Sequence, residues 1–529
     1  MSETTASDAP GVTLRNPATG ELIGRFPWQT AEEVRATLRL ARDAQPEWAA
    51  LPLSQRREIV RELRRWILAH MDEFSTLISN CVGKTRLDAL ATEVLPTVAG
   101  CRWYEKHAWK YLKPKRLKNG SWLFFGKSSS VIRVPWGVIG IISPWNYPLG
   151  IPMHEIVPAL LAGNTVVFKT APETVAVGVF LQRMFRESGI PAGVFSHIHI
   201  DGPPAGDLLL QPGSGVDKLF FTGSVPVGKL LLEKAARTLT PISVELGGKD
   251  AMIVCADADL ERAANGAVWA GLSNAGQTCA AVERIYIQQD VYAEFVGKLT
   301  QKVSALRVGP GTEFNVDVGP LCTQRQVDTV QRQLEEAFQR GASVAAKAGP
   351  APAPNPNFIS PMVLTGVDHE MAIMRDETFG PILAVMPYTS DAEAVRLAND
   401  SRYGLSASVW SRDQGKAASL AKQIHAGAIM INDHVTSYGM TETPWGGFKD
   451  SGYSRGHGHY AFEAVTAPRV IITDWFKHLR RQPFWMPYDI KAYEGLKGAL
   501  KALYGRGIAT RLTGFRRALS LLPRMFGKP

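Results

Sequence analysis

Between residues 128 and 245 short β-branched runs alternate with helix-length segments, and this alternation restricts the fold more than any other feature. SSSVIRVPWGVIGIIS (128–143) reads as strands. A helix is then expected near 153–162, a strand at Thr165–Phe168, a helix over 174–188 and a strand around Val194–His199. A helix near 205–211, a strand at Lys218–Phe221, a turn over 222–228 with a helix from Lys229, and a strand at Ile242–Val244 complete the set. Strands separated by helical crossovers imply a parallel sheet with helices on its faces, the α/β class. The second half repeats the alternation without repeating the sequence: strands at Ile382–Pro387 and Ser406–Trp410, helices near 391–399 and 414–425, a long Gly- and aromatic-rich loop over 433–458 opened by Ile429–Asn432, and a late strand at Val470–Thr473. Residues 31–50 and 54–80 are predicted amphipathic helices, the second with Ser54 as N-cap and a stripe of Ile59, Leu63, Trp66, Ile67, Met71 and Phe74. A Pro-rich loop is expected at 350–361, and residues 1–10 read as a loose arm.

Charge separates one end of the chain from the rest. Phe476–Pro529 holds five Lys and seven Arg against Asp489 and Glu494, a net +10, which is the net charge of all 529 residues. The preceding 475 residues are therefore formally neutral and carry no nucleic-acid signature. Within the tail Leu496, Leu500, Leu503 and Tyr504 share one helical face, and Leu512, Phe515, Leu519 and Leu522 share another, with basic residues beside each. That pattern fits an amphipathic helix on an anionic membrane surface, and equally an arm packed on a neighbouring subunit. Five irregularly spaced cysteines make neither a disulfide framework nor a metal site. No signal peptide opens the chain and no run of 18 apolar residues occurs, so a cytoplasmic protein is expected, with peripheral membrane attachment as the tail's alternative use.

Five stretches could carry chemistry. In SNAGQTCAAVER (273–284), Cys279 follows a helix-like run at Leu260–Leu272, and Gly276 offers a helix break that could turn the thiol towards a cleft. Most lone cysteines are simply small buried hydrophobes, so the neighbours decide. Asn146 lies in PWNYP between two prolines, where an amide could donate to a developing oxyanion, although such residues more often bond their own backbone. Lys169 follows the strand VVF at the carboxyl end where α/β sheets bind ligands; a solvated lysine is the plain alternative. Gly223, Ser224 and Gly228 lie in a strand–turn–helix passage whose amides could meet a pyrophosphate, without the usual GxGxxG. Glu245 stands between a strand and Gly247-Gly248, held but open to one side, as a general base would be; a surface glutamate is the plain reading.

Taken together, SPWNYP (143–148), VVFK (166–169), FTGSVPVG (221–228), ELGGK (245–249), GQTC (276–279), ETFGP (377–381) and PWGGFKDSG (444–452) resemble the aldehyde dehydrogenase superfamily in order and spacing, with 34 residues from Glu245 to Cys279. The resemblance spans about residues 15–475. It implies a cofactor-binding α/β domain (11–117 and 137–246), a catalytic α/β domain (247–460) and a small β oligomerisation element (118–136 and 461–475) in a homodimer or homotetramer, with 476–529 an unusual extension. It implies NAD or NADP as cofactor, an aldehyde as substrate, and no metal. Cys279 would be the nucleophile, Asn146 the oxyanion donor and Glu245 the hydrolytic base. Lys169 would hold the adenosine ribose, Trp145 and Ser224 the pyrophosphate region, Glu377 the nicotinamide ribose, and Phe379 would pack near the nicotinamide. By the same analogy Tyr147, Ile151, His154, Trp269, Thr278, Tyr438, Met440 and Trp445 would line the substrate pocket. That set has no arginine for a substrate carboxylate, so a neutral, apolar aldehyde is expected.

Two positions depart from the family. Pro172 stands where many members carry a glutamate that favours NAD, with Glu173 one step later. Glu155 stands where members often have a lysine, so two carboxylates could share proton work; a helix-surface glutamate is the plain alternative. A CoA-acylating enzyme and a non-catalytic scaffold that kept the fold are the competing functions. Glu245 weighs against the first and the intact Cys279, Glu245 and Asn146 against the second.

Overall fold

Two β-sheets organise the larger part of the molecule. A computed structural model describes residues 10–121, 124, 126–312, 314–349 and 355–526. The expected arm, apart from Pro10, and the first part of the Pro-rich loop lie outside the described residues. The chain groups into two units: residues 1–111 with 135–466, and residues 112–134 with 467–529.

In the first unit a five-stranded sheet runs in the order Phe195–Ile198, Thr165–Lys169, Val138–Ile142, Lys218–Thr222, Ile242–Glu245, every pair parallel. The chain moves outwards from the central strand to one side and then returns to fill the other. This places a switch point at the carboxyl end of the sheet, where α/β folds open a crevice. Strands such as Thr165–Lys169 are buried along their length, which is why they read as continuous apolar runs and not as alternation.

A seven-stranded sheet follows, in the order Ser343–Lys347, Met362–Thr365, Ile382–Tyr388, Val282–Gln288, Asp250–Val254, Ser406–Trp410, Ala428–Ile431. Only its first strand is antiparallel. Separate apolar clusters cover its two faces, one around Val330, Leu364 and Tyr388, the other around Ala267, Leu299 and Leu383.

Two expectations need correction. The predicted helix 54–80 is two helices, Leu53–Ala69 and Met71–Val82, joined at His70, and Pro52, not Ser54, precedes the first. The helix expected from Lys229 begins at Val225, because Pro226 is compatible with a first helical turn. Gly228 therefore lies inside that helix. A Cβ there would come within 2.7 Å of Leu246, so close packing accounts for this glycine.

The second unit contains a three-stranded sheet with Lys127–Pro135 in the middle, Lys115–Leu117 on one side and Thr466–Asp474 on the other. The helices Ile490–Tyr504 and Ile508–Ala518 then form an antiparallel hairpin whose contact is made by glycines: a Cβ on Gly514 would lie 2.6 Å from the Gly498 carbonyl oxygen. No described helix is long and apolar enough to cross a membrane.

Candidate active site

The loop carrying Cys279 is held in a costly shape. Helix Leu260–Leu272 ends, and Asn274 (φ 52°) and Ala275 (φ 54°) take left-handed backbone conformations, followed by Gly276 (φ 74°). Non-glycine residues persist there only when their surroundings compel them. Here Asp88 accepts a hydrogen bond from the Asn274 amide at 3.1 Å, and the Gln277 side chain donates to the Asn274 carbonyl at 2.9 Å. Gly276 is required twice, by its φ and by its approach to Gly380, whose carbonyl oxygen would lie 2.1 Å from a Cβ.

Asn146 is tied into this loop. Its Nδ2 donates to the Gln277 carbonyl at 3.1 Å, two residues before Cys279, while Asn274 Nδ2 donates to the Asn146 carbonyl at 3.2 Å. One Nδ2–H is thereby engaged and the second remains for another acceptor. The turn bearing Asn146 rests on residues that carried no signal in the sequence. Glu93 accepts from the amides of Leu149 (2.8 Å) and Gly150 (3.2 Å), where the helix Gly150–Ala162 begins. Its other oxygen meets Lys84 at 2.8 Å, with both side chains fully buried, and the Lys84 ammonium lies 3.7 Å from the centroid of the Tyr147 ring.

Cys279 is half-buried and lines two cavities. One, of about 280 Å³, is walled by Tyr147, Ile151, Trp269, Thr278, Tyr438, Met440 and Trp445, with Leu95 and Pro96. None of the described residues lining it is charged. Every residue expected in the substrate pocket is present except His154, which lines the other cavity. That cavity is about 50 Å³, room for a few water molecules, and joins Cys279 to Glu245, Glu155, His154, Arg455 and His457. Among the described residues, neither carboxylate oxygen of Glu245 has a hydrogen-bond partner, nor does either ring nitrogen of His154. The His154 and His457 rings stack at 4.2 Å.

Burial dominates the electrostatics. It raises the Cys279 thiol well above its ordinary range, and the charges of Asp250, Glu377 and Glu245 act in the same direction. It raises Glu245 well above the carboxylate range; Glu155 adds to the rise and Arg455 opposes it. Burial pushes Glu155 up to about 8 and His154 down to about 4. At neutral pH the thiol, both carboxyls and the imidazole are therefore held mainly uncharged.

The residues expected to meet a dinucleotide gather at the carboxyl edge of the five-stranded sheet. Lys169 ends its strand, is 5% exposed and donates to the Thr170 carbonyl at 3.0 Å. Gly223 and Ser224 follow Lys218–Thr222, and Ser224 precedes the helix Val225–Ala236 without capping it, leaving first-turn amides for an anion. The Trp145 and Phe379 rings meet edge to face at 5.7 Å, and Phe379 holds a left-handed φ of 52°. Glu377 accepts from the Gly248 amide at 3.0 Å, which joins the loop at 377–381 to the loop at 245–249. Glu283, also without a signal in the sequence, fixes that junction by accepting from the amides of Thr378 and Phe379, each at 2.8 Å, and by pairing with buried Lys249. A basic side chain, uncapped helix amides and a carboxylate at one sheet edge fit the phosphates and ribose hydroxyls of NAD(P).

The chain matches the Aldehyde dehydrogenase family over residues 4–471. It is 37% identical over 490 residues to a 4,4'-diapolycopene aldehyde oxidase of Methylomonas sp, covering 93% of this chain and 91% of that one. It is 36% identical over 457 residues to a Mycolicibacterium smegmatis protein provisionally named as an NADP-dependent succinate-semialdehyde dehydrogenase, covering 86% and 87%. An NAD-dependent aldehyde dehydrogenase structure from Sinorhizobium meliloti superposes with a TM-score of 0.85 at 31% identity, covering 92% of this chain and 95% of that one.

Proposed function

The chain belongs to the aldehyde dehydrogenase family and is an NAD(P)-dependent enzyme, and we propose that it oxidises neutral, apolar aldehydes to carboxylic acids through a covalent Cys279 intermediate. One observation supports the substrate class above others: the cavity beside Cys279 has aromatic and aliphatic walls and no cation to pair a substrate carboxylate. Leu95, Trp269 and Met440 in its lining are 63%, 44% and 42% exposed, so the apolar wall continues to the surface and would suit a long chain. The aldehyde oxidase relative, named for a diapolycopene aldehyde, agrees with this reading; the relative named for succinate semialdehyde stands against it.

In the proposed sequence the Cys279 thiol gives up its proton to water and the thiolate attacks the aldehyde carbon, whose C=O electron pair moves onto oxygen to give a thiohemiacetal oxyanion. Asn146 and the Cys279 amide would stabilise the oxyanion, each donor worth about 3–4 kcal/mol. Bound NAD(P) would supply the hydride acceptor, held by Lys169, Trp145, Gly223, Ser224 and Glu377 with Phe379 against its nicotinamide end. Cys279 then carries the acyl group as a thioester. Glu245 would take a proton from water in the smaller cavity, the hydroxide oxygen would bond to the acyl carbon, and the Cys279 sulfur would leave with the electron pair of the broken C–S bond. A base beside a water-sized space supports hydrolysis over transfer to CoA. Glu173, whose charge is felt at Lys169, supports NAD over NADP, since a carboxylate there would repel a 2′-phosphate.

We assign cofactor binding to 11–117 and 137–246 and catalysis to 247–460, since each large sheet falls within one of these spans. We assign oligomerisation to 118–136 and 461–475. The nine-residue edge strand Thr466–Asp474, with Val470, Ile471 and Ile472 exposed, supports a homodimer or homotetramer. The whole reading is tested by following NAD and NADP reduction over a panel of aldehydes. Turnover of medium-chain or aromatic aldehydes well above that of succinic semialdehyde is expected; equal or better turnover of succinic semialdehyde would overturn the substrate class.

A further inference from the structure

The C-terminal hairpin is packed inside out for a water-soluble element. Its interior is small: Ala492, Gly495, Gly498 and Gly514 are buried, and a Cβ on Gly498 would lie 2.7 Å from the Ala518 amide nitrogen. Most of its large apolar side chains are exposed, Leu496 and Leu503 being half-buried and Leu521, just beyond the hairpin, packing on Gly495. Tyr493, Leu500 and Tyr504 on the first helix are 61%, 52% and 63% exposed, and Ile508, Leu512 and Phe515 on the second are 79%, 60% and 58% exposed. In water the hydrophobic effect favours the reverse arrangement, with large side chains inside and small ones out. Small residues between helices and large apolar residues outside is the packing used where the surroundings are themselves apolar.

The charge of the same segment indicates which surroundings. Lys501, Arg506, Arg511 and Arg516 are exposed among the apolar residues, and residues 476–529 carry a net +10. A second copy of this segment would bring +10 against +10 and would leave those charges unanswered. An anionic bilayer answers both features, with acyl chains for the apolar side chains and headgroups for the basic ones. The helices span 15 and 11 residues, short of a crossing, so they would lie in the headgroup region.

We propose that the hairpin of residues 490–518 is an anionic-lipid-binding module that holds this enzyme on a membrane surface. The proposal does not depend on the catalytic reading. It is tested by sedimenting the full-length chain with phosphatidylserine-containing vesicles and with pure phosphatidylcholine vesicles. Two variants accompany it, Leu512→Ser with Phe515→Ser, and Lys501→Gln with Arg506→Gln and Arg516→Gln; the molar mass of each is measured in solution without lipid. The expected result is binding to anionic vesicles about tenfold or more tighter than to neutral ones. The triple charge variant should lose affinity on the order of a hundredfold. The apolar variant should lose binding to both vesicles without a change in molar mass. Absence of binding by the unaltered chain, or equal binding to both vesicles, would overturn the proposal. So would an apolar variant that binds lipid normally but changes molar mass, which would assign the face to a second copy.

Discussion

Glu155 and Glu245 line the same small cavity, and once Glu155 ionises, as pH passes about 8, its charge adds to the rise that burial imposes on the Glu245 carboxyl. A base that rests protonated works only as pH rises through its raised pKa, so turnover should increase towards alkaline pH. Replacing Glu155 by Gln removes the like charge while keeping the shape. Glu245 then ionises more readily, and the rising limb of kcat against pH should move to lower pH. An unmoved limb in Glu155→Gln would make Glu155 a bystander.

The Asn146 side chain reaches the Cys279 loop through a 3.1 Å hydrogen bond to the Gln277 carbonyl, while its backbone carbonyl accepts from Asn274 at 3.2 Å. If its remaining Nδ2–H serves the oxyanion, Asn146→Ala should lower kcat by about 10²–10³, with a smaller change in KM. Steady-state kinetics on a medium-chain aldehyde measures both. A change confined to KM would place the amide in ground-state binding.

The Lys84–Glu93 pair is fully buried and holds the start of the helix that follows Asn146. Removing one partner leaves an uncompensated buried charge, so Lys84→Met should cost about 3–5 kcal/mol. The urea midpoint should fall accordingly. Because the same pair supports the turn at 144–149, kcat should fall even where the variant remains folded.

Glu173 supplies a negative charge near Lys169. Glu173→Gln should therefore raise kcat/KM with NADP relative to NAD by several-fold. An unchanged ratio would remove Glu173 from cofactor selection.

These sites were unequally legible in the sequence. The parallel sheets were readable because buried strands of four to seven residues, such as Thr165–Lys169, stand between helix-length segments. Cys279, Glu245 and Asn146 were singled out by turn chemistry, each beside a glycine or proline that fixes the local backbone. Glu93, Lys84, Asp88 and Glu283 were not, since charged residues in helical or strand segments ordinarily face water. Their roles follow only from the fold, through partners up to 186 residues away, as in the bond between half-buried Asp88 and Asn274. The break at His70 was hidden because the apolar stripe continues through it from Ile67 to Phe74. Glu155 stands out in the sequence as a departure, but only the fold brings it to the cavity that Glu245 lines.

In the proposed reaction Cys279 holds the acyl group and Glu245 drives its release. Mass spectrometry of the intact Glu245→Gln chain, mixed with a medium-chain aldehyde and NAD, tests it most directly. The variant is expected to accumulate one acyl group, mapped to Cys279 and absent from Cys279→Ser, while the unaltered chain turns over. An unmodified variant with full turnover, or an acyl group on another residue, would contradict it.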